Sequence, residues 1–298
     1  PYWRSLMTSR RRILPVMAGS SAALASGQLL ASGTGTPPPI MRAPVQQTMA
    51  QLRAMPKQAA PAAIAPPKSL QRHPQGYLPV RTLNGWTLPY RMNNGVKEFH
   101  LVAEEVIHEF APGCRARCWG YNGTTPGPTI EAVEGDRVRV FVTNRLREPT
   151  SVHWHGIDLP AGYDGVSGLN QPAIQPGETF IYEFTLIQHG THMYHPHADE
   201  NTQMAFGMMG LFIIHPQQPE EVPVDRDYAF LLHNWALHPG TYRPDPSVMV
   251  DFDLWTFNSK VFPANEHVVM KTVERLRVRV GNLSMWNHPI HIHSNPFW

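Results

Sequence analysis

The sequence predicts an all-β protein made of two β-sandwich domains, the second of them incomplete. From about residue 95 the chain consists of short β-branched or alternating runs separated by Gly, Pro and Asn, a texture typical of β-sandwiches. The run 136–144 (DRVRVFVTN) also recurs as 274–282 (ERLRVRVGN), displaced by 138 residues. A strand that recurs over a domain length indicates two copies of one domain.

The first 35 residues are predicted to be an export signal of the twin-arginine type. Three arginines at 10–12 precede an apolar stretch rich in small residues, which is the order typical of such signals. Pro and Gly interrupt the stretch, which argues against a permanent membrane span. We therefore expect a periplasmic or secreted protein, with a mitochondrial presequence as the alternative. Because Met7 stands just before the signal, it stays open whether residues 1–6 are natural.

Changes in composition predict the domain organisation. Residues 36–79 are crowded with Pro, Ala, Gln and Met without apolar periodicity, and we predict a linker or a disordered arm over residues 36–94. The repeat then places domain 1 at 95–217 and domain 2 at 222–298. We expect domain 2 to be truncated at Trp298, and the stability of such a chain by itself stays open.

The distribution of charge argues against one class of partner. Residues 1–97 contain twelve Lys and Arg and no Asp or Glu, whereas 98–298 contain 13 basic and 23 acidic residues. An acidic body disfavours nucleic acid as the partner.

Cys114 and Cys118 are the whole thiol content of the chain. In an exported protein they could pair. In an extended segment, however, their α-carbons would lie roughly 13 Å apart, too far for a disulfide without a turn. Their pairing stays open.

Three His-x-His pairs carry the functional prediction. Side chains at i and i+2 of a strand point to the same face, so each pair presents two imidazoles side by side. Clustered imidazoles without thiolates or carboxylates favour copper over a structural zinc site. The first and third pairs are also displaced by 138 residues, as the repeat is. The pairs are His153 and His155, His195 and His197, and His291 and His293.

The segments around these histidines resemble three of the four copper signatures of the multicopper oxidases, the group of laccases and copper-resistance oxidases. The matching segments are 153–156 (HWHG), 194–197 (YHPH) and 288–293 (HPIHIH), with 119–123 (WGYNG) and 126–130 (PGPTI) before them. The resemblance implies cupredoxin-like Greek-key sandwiches. It also implies that electrons from a phenolic or metal-ion donor enter at a type 1 copper and reduce dioxygen to water at a trinuclear cluster.

The resemblance also implies a role for each histidine. The type 2 copper would be held by His153 and His291, the type 3 pair by His155, His195, His197 and His293, and the type 1 copper in part by His288. The family's fourth signature, which supplies the type 1 Cys, a second His and the axial ligand, is absent from the 298 residues. We therefore expect the chain alone to be inactive. Ser294 and Asn295 also depart from the family's usual residues.

Asp164 matches an acidic position that members of the family keep beside the cluster. Oxygen reduction consumes protons, so a carboxylate at this point could act as a proton relay. An Asp before Gly165 is equally explained as a turn residue.

Two other functions stay open, and the domain count predicts an assembly. A copper nitrite reductase would keep its blue-copper Cys in domain 1, where this chain has Pro196. A copper-binding or storage protein without turnover is the second alternative.

In two-domain multicopper oxidases the cluster forms between subunits of a closed ring, so the resemblance implies a homotrimer.

Overall fold

The computed structural model describes residues 73, 75–238 and 240–293. The predicted export signal and residues 36–72 of the predicted linker lie outside the described residues. Within the described part of the chain, no helix is long and apolar enough to cross a membrane.

The regular secondary structure of the described residues is almost entirely β, which confirms the predicted all-β fold class. The strands are Arg81–Thr82 (β1), Arg91–Asn93 (β2), Val96–Ala111 (β3), Cys114–Tyr121 (β4), Ile130–Val133 (β5), Arg137–Asn144 (β6), His153–His155 (β7), Thr179–Thr185 (β8), Gly190–His195 (β9), Gly210–His215 (β10), Arg226–Trp235 (β11), Leu254–Phe257 (β12) and Leu276–Asn282 (β13). Within the described residues, a 3-10 turn spans Ala161–Tyr163 and a short α-helix, α1, spans Glu200–Ala205.

Two sheets form a sandwich in the first half of the described chain. One has the order β2-β3-β6-β8 with β4 also paired to β3, and the other has the order β5-β10-β9-β7. Strand β6 shows how the sequence builds the core. Val138, Val140 and Val142 are buried between the sheets, while Arg139 points outward and pairs with Glu98. The alternation of apolar and charged residues in this strand therefore matches its two faces.

A third sheet packs against the outside of this sandwich. It contains β1, β11 and β12 in that order, with β13 paired to β11. A second apolar core lies beneath it and includes Leu231 and Trp235 of β11 together with Phe110, Cys118 and Leu211 of the sandwich. The outer sheet is thus held by apolar burial as well as by the chain connection.

The two copies of the sequence repeat occupy comparable places. Strand β6 pairs in parallel with β3, and β13 pairs in parallel with β11. Each copy therefore lies beside a long strand that precedes it in sequence. The boundaries 95–217 and 222–298 stay predictions.

The structure differs from the predicted linker over residues 75–94. This segment, which we call the strap, contains β1 paired with β11 and a bridge from Thr87 to Thr129. The Glu131 carboxylate accepts hydrogen bonds from Val80 N at 3.0 Å and Thr87 Oγ1 at 3.1 Å. Apolar residues alternate from Trp86 to Met92, but Pro89 interrupts the run and the strands of the strap are only two and three residues long, so the local signal is weak.

Cys114 and Cys118 are both free thiols on β4. Burial raises the pKa of both thiols, more strongly for the fully buried Cys118. The pairing that the sequence left open is therefore absent from the structure.

Candidate metal centre

Strands β7 and β9 bring the first two His-x-His pairs together. In their antiparallel register His153 lies directly opposite His195. His197 follows Pro196, just beyond the end of β9. The imidazole of His153 lies 5.5, 5.3 and 5.4 Å, centroid to centroid, from those of His155, His195 and His197. Four of the predicted ligands thus form one cluster.

The ring nitrogens of three of these histidines converge. One nitrogen each from His153, His155 and His195 lie within 4.8 Å of one another. The closest approach is 3.1 Å, between His155 Nδ1 and His195 Nε2. Ring nitrogens at these distances are spaced as the imidazole ligands of a metal site are.

The protonation of His195 fits metal binding. Its side chain is 3% exposed, and burial is the main cause that lowers its pKa to about 4. Its Nδ1–H donates to the Pro196 carbonyl at 3.0 Å, which leaves the Nε2 lone pair directed at His155. A neutral imidazole with one nitrogen fixed by a backbone carbonyl is the form that binds a transition metal.

Asp164 contacts His153 through two of its groups. His153 Nδ1 lies 2.7 Å from the Asp164 carbonyl oxygen and 3.3 Å from its carboxylate Oδ1. The backbone contact fixes the His153 tautomer and leaves Nε2 for a metal. Gly165 makes this approach possible, because its φ is +83° and a Cβ there would lie 1.9 Å from the Val152 carbonyl oxygen. The structure therefore places the predicted Asp164 at the cluster.

Helix α1 ties the two histidine segments to each other. The side chain of Gln203 is buried and accepts from Thr150 Oγ1 at 2.6 Å. Its Nε2 donates to the Pro149 carbonyl at 2.8 Å. The segment after β9 is thereby fixed to the segment before β7. Sequence reasoning missed this helix because six residues are too few to show a helical period.

Glu200, the first residue of α1, is a further site residue that sequence reasoning missed. Its Oε1 lies 3.6 Å from His195 Nδ1, and its Oε2 lies 3.6 Å from His197 Nε2. These distances exceed a hydrogen bond but are within ion-pair range. An acidic residue three positions after His197 was the available signal.

In the described part of the chain, the third pair is not among the histidines whose nitrogens converge. His291 and His293 are exposed, lie outside any strand, and have ring centroids 4.6 Å apart. His288 Nε2 lies 2.7 Å from Ser284 Oγ. Among residues 75–238 and 240–293, no group of three converging ligand atoms includes these histidines. The structure therefore assembles two pairs within one chain and does not add the third.

Comparison with known proteins decides the family. A family model described as multicopper oxidase matches residues 103–219, and a second with the same description matches 239–298, together more than half of the chain. The chain belongs to the multicopper oxidase family. This multicopper oxidase chain contains every one of the predicted histidine pairs within the matched residues.

Individual relatives agree with this assignment. The chain is 44% identical over 115 residues to copper resistance protein A of Escherichia coli, covering 39% of this chain and 19% of that protein. It is 39% identical over 155 residues to an L-ascorbate oxidase of Brassica rapa subsp. pekinensis, covering 50% of this chain and 26% of that protein. The chain thus spans about a fifth to a quarter of the length of these relatives.

A solved structure shows the same fold. The blue copper oxidase of Nitrosomonas europaea superposes with a TM-score of 0.57 at 31% sequence identity, covering 63% of this chain and 61% of that one. This likeness confirms the predicted cupredoxin-like fold class. Copper is the cofactor of the family, and the converging nitrogens of His153, His155 and His195 fit it.

Proposed function

We propose that this chain forms the oxygen-reducing part of a multicopper oxidase. The observation that supports the proposal is the convergence of the first two His-x-His pairs. Six imidazoles, four from this cluster and two from His291 and His293, would hold a trinuclear copper cluster. Copper bound there would accept single electrons and deliver them to dioxygen, which is reduced to water.

The chain's own residues prepare the site in three ways. Burial keeps His195 neutral and keeps water from its ring. The Asp164 carbonyl holds the Nδ1 proton of His153, so that Nε2 faces the cluster. The Asp164 carboxylate lies 3.3 Å from the same nitrogen and its side chain is 37% exposed, so it would pass protons from solvent.

We propose that His291 and His293 complete the cluster of a neighbouring copy. The two histidines are exposed, and so is His155 on the first cluster. A head-to-tail contact that places one copy's third pair on the next copy's cluster closes a ring. A homotrimer is the ring that we propose.

The electron donor is proposed at the level of chemical class. We propose a phenol or a metal ion, because relatives include copper resistance protein A and a laccase. The exported location follows from the twin-arginine pattern at residues 10–12 and is likewise a proposal.

Oxygen consumption by the copper-loaded chain tests this function. The chain alone is expected to be inactive with its own donor, because the type 1 ligands are missing from the 298 residues. The copper-loaded protein, freed of excess metal, is therefore given electrons by a soluble one-electron reductant in place of a type 1 copper. We expect oxygen to be consumed with water as the product and about four electrons used per dioxygen. His195→Gln is the control and should consume none above background.

The same measurement separates the alternatives. A storage protein would retain copper without consuming oxygen. A nitrite reductase would consume nitrite in place of oxygen. Either result would contradict the proposed function.

A further inference from the structure

Glu200 touches the proposed copper ligands from outside the cluster. Its two carboxylate oxygens reach two different imidazoles, Oε1 to His195 Nδ1 and Oε2 to His197 Nε2, each at 3.6 Å. The histidine predictions assign it no role. Its side chain is 41% exposed, so solvent reaches one side of the carboxylate while the rings cover the other.

Helix α1 fixes where this carboxylate stands. Gln203, one turn further along, is anchored by Thr150 Oγ1 at 2.6 Å and by the Pro149 carbonyl at 2.8 Å. His197 N donates to Ser151 Oγ at 3.3 Å, which fixes the chain just before the helix. The backbone at Glu200 is therefore fixed on both sides, by His197 before it and by Gln203 after it. The carboxylate itself contacts the two rings only at 3.6 Å.

The charge of a bound metal ion would favour a carboxylate at this position. The side chain of His195 is only 3% exposed, and copper bound in this buried site would bring positive charge that uncharged imidazole ligands do not offset. Asp164 supplies one negative charge beside His153. Glu200 supplies a second beside His195 and His197, 3.6 Å from a nitrogen of each ring, where it would attract a metal ion that these rings bind.

We propose that Glu200 is a positioning residue of the copper centre, a single carboxylate shared by His195 and His197 that orients both rings and offsets the charge of the metal. This inference rests on the proposed function, because it assumes that copper binds these histidines. It adds a second carboxylate to the centre, supplied by the segment that follows the second His-x-His pair.

Copper affinity of the full chain tests the proposal. The copper-free protein is titrated with Cu²⁺ against a competing chelator, and the bound ion is examined by electron paramagnetic resonance. We expect Glu200→Gln to weaken copper binding by about 10- to 100-fold and to alter the hyperfine splitting of the bound ion. We expect Glu200→Asp, which keeps the charge on a shorter side chain, to lose less copper affinity than Glu200→Gln.

Asp199→Asn is the matched control. Asp199 is adjacent, is exposed, and makes no capping hydrogen bond to α1, so this variant removes the same charge without the contact. We expect its affinity to change by less than about threefold, because an exposed charge without a partner contributes little. Thermal unfolding of the copper-free proteins should be the same for all variants. A loss of copper affinity then reflects the position of the ligands and not a less stable fold.

Each outcome has a defined meaning. If Glu200→Gln binds copper with the affinity and spectrum of the unaltered chain, or no more weakly than Asp199→Asn, the inference is overturned and the proposed function stands. If the unaltered chain binds no copper at these histidines, the proposed function fails as well. If Glu200→Gln does not fold, Glu200→Asp decides, and an unchanged affinity and spectrum in that variant overturn the inference.

Discussion

Gly165 lies directly against the strand that carries His153. An L residue at its φ of +83° is strained, and a Cβ would meet the Val152 carbonyl oxygen at 1.9 Å. Gly168 has a φ of +82° with nothing within 4 Å of a Cβ, so it shares the strain without the clash. We expect Gly165→Ala to lower the free energy of unfolding by about 2 kcal/mol more than Gly168→Ala does, measured by urea denaturation. Equal losses would show that the close approach does not matter.

The carboxylate of Asp164 can be tested apart from its backbone. Asp164→Asn keeps the carbonyl that fixes His153 Nδ1 at 2.7 Å, so we expect copper content to be retained. The rate of oxygen reduction should fall on the order of 10²-fold, because the acid–base group is lost. Copper analysis and oxygen uptake measure the two effects on one sample. An unchanged rate would leave Asp164 as a turn residue only.

At the scale of elements, one buried carboxylate adds to the backbone pairing that holds the strap. Glu131 is 4% exposed and accepts from Val80 N, from Thr87 Oγ1 and from His215 Nε2 at 2.8 Å. We expect Glu131→Gln to destabilise the protein by about 3 kcal/mol, since it breaks a buried charged network. The exposed Glu178 is the control, and Glu178→Gln should change stability by less than about 0.5 kcal/mol. Similar thermal unfolding of both variants would contradict a structural role for the strap.

His108 links strand β3 to the turn after β12 and should make stability depend on pH. It contacts the Ser259 carbonyl at 2.5 Å, and its pKa is lowered to about 4, first by burial and then by Lys260. The unfolded chain therefore takes up a proton below about pH 6.5 that the folded chain refuses until about pH 4. Stability falls as pH drops through this window.

His108→Gln isolates this contribution. Between pH 7 and pH 5 the copper-free parent should lose roughly 1 to 2 kcal/mol more stability than the variant, by urea unfolding at each pH. Glu109 lies beside His108 and favours its charged form, which limits how far the pKa of His108 falls and therefore how much stability is lost. Parallel curves for the two proteins would contradict the assignment.

The elements that the sequence predicts are those with a strong local signal. The alternation in β6 and its repeat in β13 fix both strands, and the first two histidine pairs meet as expected. Helix α1 and the strap escape prediction because six helical residues and a two-residue strand carry no period. Glu200 stands three positions after His197, but helix α1 is also held in place by Gln203, which accepts from Thr150 Oγ1 at 2.6 Å, a long-range contact that no local pattern encodes.

At the scale of the whole molecule, the position of the third histidine pair decides how the centre is built. His291 and His293 are exposed, and in the described part of the chain they join no group of three converging ligand atoms. A ring of copies would place them on a neighbour's cluster. We therefore expect copper retention to depend on association between chains.

Complementation between two variants tests this claim most directly. One variant replaces His153 and His155 with Gln, and the other replaces His291 and His293. Each alone should lose tightly held copper after dialysis against a chelator. The two variants are unfolded together and refolded as a mixture. About one interface in four in a mixed ring then joins an intact first pair of one variant to an intact third pair of the other, so about a quarter of the parental copper should be recovered. No recovery in mixed trimers, or full copper retention by a monomer, would contradict the account.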